Sequence, residues 1–318
     1  MDVITDIAVQ GVQMLLVFAL APLLTGFVRK IKARLQRRRG PSLLQPYRDL
    51  IRLLRKDVVL ADNASWLFRA VPYVTFAAIW VAAALVPTFA TGLLFNWAAD
   101  LIVIVALLGT ARFFLALAGM DVGTSFGGIG SSREVMIAAL AEPAMLMIVF
   151  CVALVVGSTH LSTVADHIAS TEVGLRVSLG LAMIALVIVA LAENARIPVD
   201  NPSTHLELTM VHEAMILEYS GRHLALIEFG AQLKLLLYVS LIICLFYPWG
   251  IGVFGAGPAA YLAGAALYLV KLTTAGFLLA VFETATAKMR VFRVPQFLGA
   301  ALMLGLLGTL LLFVSKGL

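Results

Sequence analysis

Hydrophobic positions in this chain fall in long uncharged runs, not at the 3.6-residue or alternating spacing of half-buried helices and strands. A hydrocarbon layer about 30 Å thick is crossed by roughly 20 apolar residues of helix. Each run therefore predicts a transmembrane span. The first covers residues 7–28 without a charge. Between Arg69 and Asp100 lie 30 uncharged residues broken by Pro87 and Gly92, so a second span ends there and a third covers 98–119. The glycine- and serine-rich stretch MDVGTSFGGIGSS reads as a loop before a fourth span at 133–156. Further spans are expected at 174–192, 223–247, 259–282 and 294–314, with Pro248, Gly250, Gly252, Gly255, Gly257 and Pro258 marking the turn before the seventh. The expectation is an all-α polytopic membrane protein of about eight transmembrane helices, residues 1–318 forming a single integral membrane domain.

Composition excludes the soluble alternative. The chain is 62% hydrophobic and 13% charged, where a soluble domain carries about a quarter charged residues. Its mean hydropathy of +1.01 leaves too little polar surface to coat a globule. The excess of 23 basic over 18 acidic residues does not point to nucleic acid, because residues 29–69 alone hold 12 Lys/Arg. Loops rich in Lys and Arg face the cytoplasm. The loops after spans one, three, five and seven are then cytoplasmic, and both termini lie on the other side, in the cell inner membrane. Asp2 and Asp6 replace the basic start of a cleaved leader, so the first span is read as retained. Cys151 and Cys244 sit inside apolar runs and read as packing residues.

Ionisable groups inside spans cost a few kcal/mol on insertion scales, so each is a functional candidate. Span three carries Arg112, span four Glu134 and Glu142, span six Glu228 and Lys234, and span seven Lys271, while Glu193 and Glu283 stand at span ends. On a helix Glu134 and Glu142 are about 12 Å apart along the axis and roughly 80° apart around it. They read as successive stations facing one polar interior, too distant for direct proton transfer without water. Structural ion pairs, such as Glu228 with Lys234, are the competing reading. As a set, Glu134, Glu142, Glu193, Glu228, Lys234 and Lys271 are expected to form a proton path through a watered interior.

Two loops carry the remaining chemistry. The fifth, from Glu193 to Glu228, mixes glutamates, one aspartate and three histidines with apolar residues. Ser203 or Thr204 could cap a short helix bearing His205, Glu207, His212 and Glu213. A metal site of His205, Glu207 and His212 lacks the HExxH pattern, and hydrogen bonding at a subunit contact is preferred; no metal is expected. In the first loop Pro46 opens an amphipathic helix with Leu50, Leu53 and Leu54 on one side and Arg48, Arg52, Arg55 and Lys56 around the rest. It reads either as a helix held on anionic lipid or as a dock for a soluble partner.

These motifs together resemble the family of membrane proteins known as subunit 1 of respiratory complex I. The pattern GP...LQP..D..+L..KD in residues 40–57 looks like that family's first loop, AENARIPVD in residues 192–200 is similar to its fifth-loop signature, and Glu218, Tyr219, Ser220 and Gly221 match its EYSG. THLELTMVHEAMI and SSREVMIAALAEP resemble the branch found in membrane-bound group 4 nickel-iron hydrogenases, that of formate hydrogenlyase subunit 4 and hydrogenase-4 component C. The resemblance implies a membrane-anchoring, proton-coupling protein that holds no cofactor itself. It implies as partners a large and a small iron-sulfur hydrogenase subunit on the cytoplasmic face, which carry the nickel-iron and iron-sulfur centres, and antiporter-like membrane subunits beside it. The partner interface would be Arg39, Gln45 and Asp49 of the first loop with Arg196, Asp200, His205, Glu207, His212, Glu213 and Glu218 of the fifth. One departure is Ala231, where complex I places a glutamate 13 residues after that of EYSG; Glu228 lies about one turn earlier. The alternatives are the quinone-site subunit of a proton-pumping NADH-quinone oxidoreductase, which would bind quinone, an autonomous ion transporter, and a passive scaffold.

Overall fold

The computed structural model describes residues 3–170, 177–200, 210–252 and 257–316. Within them the protein is all-α: α1 (Val3–Leu35), α2 (Gln45–Leu54), α3 (Trp66–Leu85), α4 (Leu101–Asp121), α5 (Ser125–Val156), α6 (Leu161–Ser170), α7 (Val177–Glu193), α8 (His212–Ile216), α9 (Gly221–Phe246), α10 (Pro258–Ala285) and α11 (Val294–Lys316). Seven of these helices, α1, α3, α4, α5, α9, α10 and α11, are long and apolar enough to cross a membrane, and α7 is an eighth apolar helix with 17 described residues. The chain is a multi-pass membrane protein, and each of the eight apolar runs of the sequence forms a helix within its described residues.

α9 is the centre of the bundle. Its most apolar window is 78% buried, against 22% for α10 on the periphery. It packs on α1 and α3, α3 packs on α4, and α11 fills the groove between α5 and α7. Lipid is as apolar as leucine and gives helices no hydrophobic reason to associate, so close packing and buried polar contacts must hold them together.

The fourth span begins earlier than its sequence suggests. The stretch read as a loop is helical from Ser125 onward, with the Thr124 hydroxyl accepting the Gly127 amide at 3.2 Å as N-cap. Glycine serves packing here. A Cβ on Gly127 would lie 2.1 Å from the Gly119 carbonyl, and one on Gly130 would lie 2.9 Å from both Met215 and the Val211 carbonyl. These bare turns let α4 and α8 press against α5. Two further differences concern loops. α6 is an added helix between α5 and α7. α2 buries Pro46 and Leu50 against the bundle but leaves Leu54 exposed, so its apolar side is narrower than expected.

The loops sort to two ends. At the basic end, Ser220 exchanges hydrogen bonds with the Val59 amide (2.8 Å) and carbonyl (2.7 Å), Asn63 donates to the Val122 carbonyl, and the Ser65 amide donates to Asp121. Gly221 follows Ser220 with φ +54°, and a Cβ there would stand 2.5 Å from the Asp57 carbonyl, so the EYSG turn both needs left-handed backbone and is roofed by the first loop. At the opposite end Gly252 bonds to Phe89 and Thr91, and Leu101 to Thr159. Loops after the first, third, fifth and seventh apolar helices thus share one end, as the charge pattern requires.

Candidate functional site

Arg112 on α4 is the hub of the buried charges. Its guanidinium reaches three carboxylates: Glu193 Oε1 at 2.5 Å through Nη2, Glu142 Oε1 at 3.4 Å through Nη1, and Glu134 Oε1 at 3.8 Å through Nε. Lys234 on α9 holds the other oxygen of Glu193 at 3.2 Å. The two glutamates of α5, about two turns apart, are bridged because the planar fork of an arginine presents donors in several directions. Gly109, one turn before Arg112, lets the Glu142 carboxyl lie over α4; a Cβ there would sit 3.4 Å from Oε1. The cluster joins α4, α5, α7 and α9, with two cations against three carboxylates.

Exposure separates its members. The side chains of Arg112, Glu134 and Glu193 are at most 9% exposed, whereas Glu142 is 45% exposed on the outer side of α5. Arg112 Nε and both Glu193 oxygens are close to their ionic partners but outside hydrogen-bond geometry, so directional capacity remains. A cavity of about 50 Å³, counted as space open to the centres of water molecules, adjoins them. At about 10–15 Å³ each, it has room for roughly three to five waters. Thr75 and Ile79 of α3, Ile227 and Ala231 of α9, and Asn194 and His212 of the fifth loop complete its wall.

The cavity therefore ends under the basic-end loops. Burial and the nearby Lys234 ammonium push the His212 imidazole down to about 4, against the pull of Glu193, so it is neutral at physiological pH. Three residues after Glu193, Arg196 turns to Glu283 of α10 at 3.4 Å, and Glu283 also pairs with Lys32 of α1 at 2.6 Å. Burial lowers the Arg196 pKa from its usual value, opposed by Glu283. Asp200 pairs with Lys288 at 3.1 Å and accepts the Val211 amide at 3.3 Å. One short segment, 193–200, thus feeds both the membrane cluster and the loop network.

Of the residues singled out in the sequence, Glu134, Glu142, Glu193 and Lys234 meet at one place, with His212 on the same wall. Lys234 pairs with Glu193. Glu228 is half-buried at the edge of the wall-forming face of α9, about 60° around the helix from Ala231, and is not among the residues lining the cavity. Lys271 is far from the cluster: its ammonium caps the end of α9, donating to the carbonyls of Tyr247 (2.6 Å) and Trp249 (2.5 Å). Arg39 is exposed, Gln45 donates to Asp49 at 3.0 Å, Asp49 pairs with Arg52 at 3.2 Å, Glu213 is half-buried and Glu218 exposed. His205 and Glu207, with the expected Ser203 or Thr204 cap, lie outside the described residues, and the described helix of this loop begins at His212. Arg112 was visible only as one more charge in a span. Its signal was arithmetic: five glutamates in the spans or at their ends against two span lysines call for another cation.

The NADH dehydrogenase family model matches residues 7–314. Formate hydrogenlyase subunit 4 of Escherichia coli (strain K12) is 35% identical over 286 residues, covering 90% of this chain and 92% of that one. Hydrogenase-4 component C of Escherichia coli (strain K12) is 36% identical over 238 residues, covering 75% and 74%. A chain in the structure of the membrane-bound sulfane sulfur reductase, an archaeal respiratory membrane complex, has the same fold, with a TM-score of 0.77 at 20% identity over 95% of this chain and 99% of that one.

Proposed function

This chain belongs to the NADH dehydrogenase family, and from that premise we propose that it is the membrane-anchoring, proton-coupling subunit of a membrane-bound nickel-iron hydrogenase complex of the formate hydrogenlyase type. The similarity to formate hydrogenlyase subunit 4 and hydrogenase-4 component C supports the branch. The observation that carries the coupling role is the Arg112 cluster, placed against a cavity that ends under loop residues Asn194 and His212. A soluble partner seated on the cytoplasmic, basic end would act on segment 193–200. Displacing Glu193 from Arg112 and Lys234 changes the charge balance of the cluster, and Glu134 and Glu142 take up or release a proton in response. Neutral His212 passes hydrogen bonds between loop and cavity without adding a charge. In this reading the nickel-iron and iron-sulfur chemistry belongs to partner subunits. Arg39, Gln45, Asp49 and Glu218 serve the docking face, and Glu228 and Lys271 stand apart from the main route.

The test uses the intact complex in sealed vesicles. Wild type is expected to evolve hydrogen and build a proton gradient during turnover. Glu193→Gln and Glu142→Gln are expected to leave the complex assembled and to reduce the gradient per hydrogen at least several-fold. A gradient unchanged in both variants would remove the cluster from coupling. NADH-dependent quinone reduction by the purified complex, without hydrogen evolution, would overturn the branch.

A further inference from the structure

A second, smaller cavity, lined mostly by apolar residues but with four polar side chains, lies at the end of the bundle opposite the basic loops. It is about 10 Å³ by the same measure, the room of one water, and is walled by Gln10 and Gln13 of α1, Ala84 of α3, and Asn96 and Ser162 near the loops. Both glutamines are at least 97% buried. Their amide nitrogens are committed: Gln13 donates to the Ala84 and Val86 carbonyls at 3.0 and 2.9 Å, and Gln10 donates to the Ala84 carbonyl at 3.4 Å. Carbonyls only accept, which fixes the amide orientation and leaves the two side-chain oxygens facing away from them. Neither oxygen meets a donor among the described residues. A buried acceptor without a donor is costly, and two beside one water-sized space could be satisfied by one molecule that donates twice.

The two cavities meet α3 at successive levels and on different faces, about 140° apart around its axis. The Arg112 cavity touches Ile79 and the glutamine cavity touches Ala84, five residues or about 7.5 Å further along the helix. Ile104 of α4 falls between Ala99 of the second cavity's wall and Leu108 of the first's, on α1 Val17 follows Gln13 by one turn, and both are buried in one apolar core with Ala82 and Ala83. We propose that the glutamine cavity binds an ordered water between the Gln10 and Gln13 oxygens and is the outer station of a route across this chain, with Val17, Ala82, Ala83 and Ile104 forming the dry plug that insulates it from the Arg112 cavity. The inner station rests on the coupling reading above. In this arrangement the plug keeps the route closed to passive proton flow, because a proton crosses several ångströms of apolar packing only when water enters it.

Passive leak is measured without turnover, so its outcome is independent of whether Glu193 and Glu142 variants lose coupling. The complex is reconstituted in vesicles containing a pH-sensitive dye, and a potassium gradient with valinomycin sets the driving force. Ile104→Asn is expected to raise proton entry at least tenfold over wild type and over Ile104→Val. Adding Gln10→Met and Gln13→Met is expected to return the leak to background. Should Ile104→Asn prevent assembly, Ala83→Ser, which adds only a hydroxyl to the same layer, takes its place. Tight vesicles with the assembled polar variant would overturn the plug, and a leak unaffected by the methionine substitutions would overturn the outlet. A cryo-electron microscopy map of the wild-type complex is expected to show a density peak within hydrogen-bond reach of both glutamine oxygens; its absence at a resolution where comparable waters are visible would overturn the water site.

Discussion

Arg112 holds carboxylates from two other helices with one rigid fork, and the three contacts differ enough to rank what its loss would do. Removing one partner of a buried ion pair costs about 3–5 kcal/mol, because the remaining charges are left in low dielectric. Arg112→Leu is therefore expected to destabilise the isolated complex by about that amount. Arg112→Lys keeps the charge but loses the fork, and should fall about halfway between. Glu142→Gln removes a half-exposed contact and should cost under about 1 kcal/mol. Thermal dissociation in detergent reads this order, and an Arg112→Leu complex as stable as wild type would show that the cluster does not hold α4, α5, α7 and α9 together. Each carboxylate was legible in the sequence, because lipid makes any charge in an apolar run conspicuous. Their convergence was not, since it depends on how each helix is rotated about its axis, and uniformly apolar spans carry little periodic record of that rotation. Lys271 shows the limit: in the sequence it resembles Lys234, yet it serves as a helix cap at the other end.

Helix boundaries were legible wherever a run met a charge or a proline, as at Val86 and Asp100, and misleading where glycine had a packing role. The first turns of α5 read as loop because Gly127, Gly128 and Gly130 lower helix propensity, and only the neighbouring α4 and α8 explain them. Two of these glycines differ in a testable way. Gly130 is pressed by Met215, Val211 and Ala214, so Gly130→Leu should overpack the seam by about 1–3 kcal/mol and push α8 off α5. Gly128 has open space within 4 Å of where a Cβ would stand, so Gly128→Ala should be neutral or stabilise by up to about 1 kcal/mol. Hydrogen exchange of residues 210–220 distinguishes the two: faster in Gly130→Leu, unchanged in Gly128→Ala. Equal exchange in both would mean that α8 is not seated by this contact, and with it the position of His212 on the cavity wall would lose its support.

For the molecule as a whole, the two ends differ in chemistry more than in shape. The basic end collects Arg37, Arg38, Arg39, Arg48, Arg52, Arg55 and Lys56 on exposed positions, while exposed tryptophans suited to the membrane interface stand at both ends, Trp66 beside the basic loops and Trp97 and Trp249 opposite. This asymmetry sets an orientation that labelling can measure. Cys151 and Cys244 are buried and should not react, so a single added thiol reports its own side. Arg55→Cys is expected to react with a membrane-impermeant maleimide only in inverted vesicles, and Trp97→Cys only in intact spheroplasts, with the complex assembled in both cases. One basic residue among many is removed by Arg55→Cys, which leaves the charge bias, and therefore the orientation, in place. The reverse pattern would put the Arg112 cavity mouth on the outer face, where no cytoplasmic electron-transfer partner could act on segment 193–200, and would turn the chain's proposed direction of coupling around.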